Sequence, residues 1–209
     1  MSGNFNDLEI TARKSALIQE RMNEVTSHMY KQFLEYQQSN ANTAVMFDKM
    51  VENMALTVEY LKQSFASRGI PTENIYYEYD KIHHIAVMNI LWHSITFYSN
   101  MKDTPKALSR EKDAPLYTGR IYALKGTLPE LAQGFNDEIQ QKLLDMEVAS
   151  IYVPADNTAK AIIKMRHLGN QEYCINQMVA PRDFLLGVIE TVCRVGNTHE
   201  EGSRVTISI

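Results

Sequence analysis

Cysteine is nearly absent from this 209-residue chain, which has only Cys174 and Cys193. Two cysteines cannot build the disulfide framework that staples small secreted domains, and these two form no C-x-x-C pair. Glycine and proline are sparse too, at 9 and 6 residues, which excludes a collagen-like or linker-dominated chain. No N-x-[ST] glycosylation acceptor occurs, and the opening MSGNFNDLEITARK lacks the basic and apolar segments of a signal peptide. Also missing are a P-loop, G-x-G-x-x-G, G-x-S-x-G, an EF-hand loop and any zinc-ligand spacing. These absences point to a cytoplasmic protein and call for no cofactor and no metal.

Charge of one sign is lacking as well. The 21 Lys+Arg stand against 25 Asp+Glu, for a net charge of −4. A general nucleic-acid binder is usually basic, so nucleic acid is disfavoured as a partner. With 44% apolar and 22% charged residues the composition is that of a globular chain of one domain or two small ones. One run, Ile82–Met101, has no Asp, Glu, Lys or Arg in 20 residues, which is a membrane-spanning length. It also contains His83, His84, Asn89, His93 and several hydroxyl groups. Each would need a partner in lipid, so the run reads as a buried core element and no membrane contact is expected.

What the chain does have is helical periodicity near its start. Ile18, Met22, Val25, Met29, Phe33 and Tyr36 recur at intervals of 4, 3, 4, 4 and 3. The polar stretch Gln37–Asn42 reads as a connection. A second stripe follows, Phe47, Val51, Met54, Val58, Leu61 and Phe65, with a period close to a coiled-coil seam. Gly69 is placed to cap this helix and Pro71 to stop it. The expectation is a long helical hairpin over residues 1–72. Its first helix, from about Asn6 to Gln38, would be ~50 Å long, whereas a compact chain of this size has a radius of gyration of ~17 Å. Such a helix calls for an outside partner, and a second copy supplies a matching stripe. The hairpin is therefore read as a dimerisation element, with the second stripe as its seam.

Residues 73–101 fit a helix by length, although Tyr76–Tyr79 and Val87–Tyr98 are rich in strand-forming residues. Residues 102–116 read as a loop. Beyond them Tyr117–Lys125, Ala149–Val153, Ala159–His167 and Gln171–Met178 read as strands, and Val205–Ile209 as a final one. Helices are expected from Thr127 to about Glu147 and from Pro181 to near Gly196. The fold class is α+β: the N-terminal hairpin, then an antiparallel sheet with helices packed on one face in an α+β domain at 73–209.

The leading function is that of an intracellular, non-catalytic interaction or regulatory protein that self-associates through the hairpin. The competing class is a small-molecule-binding domain or a metal- or thiol-dependent enzyme with a His-lined pocket. His83, His84 and His93 cluster in the uncharged run but lack the i, i+4 spacing of helical metal ligands. If the hairpin at Gly169-Asn170 is tight, His167 and Cys174 sit across from one another or nearly so, the one nucleophile–base pair that local structure would join. A third class is nucleotide or nucleic-acid contact through Lys106, Arg110, Lys112 and Arg120. These lie in a basic stretch holding Tyr117 and Tyr122, which could also attract an acidic protein partner.

Overall fold

The computed structural model describes residues 4–99, 106–107, 116–133, 137–166 and 171–194. Its first element, α1, is one continuous helix, Asn4–Ala66, of 63 residues. At 1.5 Å per residue it is ~94 Å long. The expected hairpin is therefore corrected: the helix runs straight through Gln37–Asn42. No glycine or proline lies between Asn4 and Ala66, so nothing in the backbone breaks the helix there. The helix stops where expected. Gly69 takes a left-handed φ of 71°, the Gly69 N–H donates to Ala66 O, and the Ile70 N–H donates to Phe65 O. This is a Schellman cap.

The stretch at 73–101, which length suggested was a helix, is three strands: β1 (Ile75–Asp80), β2 (Ile85–Ile90) and β3 (His93–Ser99). Two tight turns divide it. In the first, Asp80 Oδ1 accepts from the backbone N–H groups of Ile82 and His83, and His84 takes a φ of 51°. In the second, Leu91 takes a φ of 57°. Neither turn contains the Asn-Gly or Gly that usually marks such a bend.

The remaining elements are β4 (Lys106–Ala107), β5 (Leu116–Lys125), a 3-10 turn (Pro129–Gln133), α2 (Asp137–Met146), β6 (Glu147–Pro154), β7 (Ala161–Met165), β8 (Gln171–Ile175) and α3 (Ala180–Arg194). Where one helix was expected from Thr127 to Glu147, the chain forms the 3-10 turn and then α2. The expected strand at Val205–Ile209 lies outside the described residues. All strand pairs are antiparallel, in the order β1-β2-β3-β5-β6-β7-β8, with the short β4 pairing to β5.

Alternation along the strands sends one set of side chains to a core under α1 and α3. Met88, Ile95, Phe97, Ile121, Ile151 and Ile163 meet Phe47, Met50 and Met54 of α1 and Phe184 of α3 there. The opposite face is covered in part, where Tyr98, Tyr122 and Leu124 pack with Leu128, Leu131, Ile139 and Leu143 of the 3-10 turn and α2.

The helix docks on the sheet through the polar stretch that resembled a connection. Ser39 Oγ donates to Val153 O at 2.8 Å and accepts from the Gly119 N–H at 2.8 Å. Asn42 Nδ2 donates to Pro154 O and Ala155 O. Ser39 and Thr43 are fully buried here, and small polar side chains let the helix approach the strands closely while their hydroxyl groups stay bonded. Further along, Tyr79 donates its hydroxyl to Asp48 Oδ1 at 2.6 Å, tying β1 to α1. Burial and this bond raise the Tyr79 pKa above the ordinary tyrosine value.

Candidate interaction surface on the first helix

One apolar line runs along α1, and the sheet covers only its second half. Phe47, Met50 and Met54 are fully buried, with Val51 and Val58 nearly so, and Leu61 and Phe65 pack against the same core. The seam expected at Phe47, Val51, Met54, Val58, Leu61 and Phe65 is thus part of the chain's own interior. A single copy has already used it, because those residues pack against the chain's own strands and α3.

Ahead of Ser39 the situation reverses. Every residue from 13 to 34 is exposed. Ile18, Met22, Val25, Met29 and Phe33 keep 50–63% of their surface open to solvent. Residues 13–38 therefore form an arm ~39 Å long that projects past the sheet with its apolar stripe uncovered. A contiguous exposed apolar patch of this kind is uncommon on a soluble monomer. Closing such a half-exposed side chain against an apolar surface contributes about 1 kcal/mol. Three polar contacts on the arm are local: Thr26 Oγ1 donates to Met22 O, Gln32 pairs with His28, and Lys31 lies 3.9 Å from Glu35.

The other candidates are not brought together. His83 lies in the β1–β2 turn, 2.6 Å from Asp80, and this bond lowers the Asp80 pKa. His84 follows it and sets its ring edge-on to Phe47. His93 pairs with Ile90 at the far end of β2, ~20 Å away by strand rise, with its ring against Trp92. Cys174 is an exposed residue on β8, and His167 lies outside the described residues. Among the described residues no group of three or more His, Cys, Asp or Glu is placed to hold a metal ion. Of the basic set, Arg110 and Lys112 lie outside the described residues, and nothing is described of the Lys106 side chain.

Arg120 is turned inward. It bonds Glu147 Oε1 at 2.5 Å, with Tyr122 and Ser150 hydroxyl groups each at 3.2 Å. Its guanidinium stacks 4.1 Å from the Tyr122 ring centre and 4.8 Å from that of Tyr152. Burial alone would lower its pKa, and the neighbouring Tyr122 and Glu147 outweigh that and raise it. Its charge is therefore spent within the fold. The alternation of Arg120 and Tyr122 puts both on one strand face, a signal readable from sequence. Glu147, Ser150 and Tyr152 join them only through the β5–β6 pairing. A groove of about 550 Å³ lies between β1–β3 and the 3-10 turn, lined by residues that include Tyr76, Glu78, Asp80, Asn89, Thr96 and Pro129.

The chain matches no protein-family model, no curated protein and no solved structure. Among the described residues no helix is long and apolar enough to cross a membrane.

Proposed function

We propose that this is an intracellular, non-catalytic interaction protein that self-associates through the projecting half of α1. The single observation that carries the reading is the stripe from Ile18 to Phe33, whose apolar side chains are all exposed. An isolated helix is marginal in water, and tertiary packing of an apolar face is the usual source of its stability. A second copy provides that packing with a surface already complementary in size and character. Both cysteines are unpaired, as suits a reducing compartment, and desolvation raises the Cys193 thiol pKa, away from a reactive thiolate.

The test is sedimentation velocity on the whole chain across a range of micromolar concentrations. The unaltered protein is expected to associate, and the triple variant Met22→Glu, Val25→Glu, Met29→Glu to sediment as a monomer with an unchanged unfolding transition. A wild-type chain that stays monomeric throughout that range removes the reading.

A further inference from the structure

We infer that the partner of the arm is a second copy lying antiparallel to it, in one register, centred on Ser27. This rests on the self-association proposed above and adds its direction and its specificity.

The first argument is spatial. From Ser39 onward the stripe-bearing face of α1 is occupied by the chain's own sheet. Two arms laid parallel, stripe to stripe, would bring two sheets to the same height in the same space. Antiparallel arms put the two bodies at opposite ends. Centred on Ser27, the overlap runs from Ser15 to Ser39, ending where the partner's sheet begins, so this register requires the residues before Ser15 to turn away from that sheet.

The second argument is the sequence of the stripe, which is symmetric about Ser27 except at Phe33, one position outside the seam, where Gln32 takes the symmetric place. Turning the helix end for end places Ile18 opposite Tyr36, Met22 opposite Gln32, and Val25 opposite Met29. Each layer joins an a-type position to a d-type position of the other helix, the pairing that antiparallel coiled coils require.

Charge supplies the third. Lys14, Arg21, His28 and Glu35 recur every seven residues and line one flank of the stripe. In the Ser27-centred register Arg21 meets Glu35 of the other copy twice, and His28 meets its own counterpart on the two-fold axis. The parallel alternative sets Arg21 opposite Thr26 and Glu35 opposite Asn40, with no ion pair. Charge pairs at flanking positions set helix orientation.

Within one helix Arg21 and Glu35 are ~21 Å apart along the axis, so any coupling between them must pass between copies. The experiment is a double-mutant cycle on the dimer dissociation constant of the full chain. Arg21→Glu is expected to weaken association about ten-fold, counting both symmetric pairs, and Glu35→Arg to weaken it as well. The double variant Arg21→Glu/Glu35→Arg should return to within about three-fold of wild type. Both changes fall on exposed or half-exposed positions ahead of the core, so folding is preserved and is checked by thermal unfolding.

An independent arm uses a short bismaleimide on chains whose native thiols are removed by Cys174→Ser and Cys193→Ser. A cysteine at position 28 should cross-link to its own copy. One at position 18 should not, being ~27 Å from its counterpart along the axis. Self-cross-linking at position 18, or additive effects of the two charge reversals in a protein that still dimerises, overturns the antiparallel register and leaves self-association standing. A chain that never dimerises overturns both.

Discussion

At Gly119 an added Cβ would overlap Thr43 Oγ1 and stand 3.1 Å from the Ser39 carbonyl oxygen. Three side chains on successive turns of α1 depend on that missing methyl group, because Ser39, Asn42 and Thr43 reach the strands only at this short range. Gly119→Ala should therefore cost about 3 kcal/mol, read as a lower urea midpoint, and Thr43→Ala in the same chain should recover part of it. The glycine itself is plain in the sequence, but its contact partner, some 80 positions away, is not. The histidines illustrate the same gap. His83, His84 and His93 cluster along the chain, yet the two turns of β1–β3 send them to opposite ends of a hairpin. Arg120 shows the converse: it reads as a surface cation, and a strand distant in sequence delivers the Glu147 carboxylate that buries it.

Along α1, one helical period serves two purposes. The stripe from Ile18 to Phe33 and the stripe from Phe47 to Phe65 look alike in sequence, but one is open to solvent and the other closed under a sheet. Truncation should tell them apart. Phe47→Ala is expected to cost about 4 kcal/mol through loss of buried surface and the cavity left behind. Ile18→Ala should shift stability by less than about 0.5 kcal/mol, measured by chemical denaturation at concentrations too low for association. The polar stretch between the stripes looks like a break because it lacks apolar residues. What a helix needs for continuity is the absence of glycine and proline, and that condition holds through Ala66. Residues 73–101 mislead for the opposite reason. Nearly every position there is apolar or neutral, so no period distinguishes helix from strand, and the turns use Asp80, His84 and Leu91 in place of glycine.

The whole molecule is an α+β body with an arm. A compact chain of 209 residues has a radius of gyration of ~17 Å, yet α1 alone measures ~94 Å. Small-angle scattering of the monomeric Met22→Glu, Val25→Glu, Met29→Glu variant should accordingly give a maximum dimension of about 90 Å or more. A value near that of a compact sphere would mean that the arm folds back.

The sequence by itself determined the helical period of Ile18–Tyr36 and of Phe47–Phe65, the cap at Gly69, the strands from β5 to β8, α3, and the excess of apolar stripe over what one body can cover. These are local properties, set by neighbours within a few positions. Tertiary structure decided which half of the stripe the sheet would claim, that the polar stretch would be a docking point, and that the uncharged run would fold into three strands. Those outcomes depend on strand pairing and close approach between residues far apart in the chain. A period specifies which face of a helix is apolar, and only the packed fold specifies what lies against it.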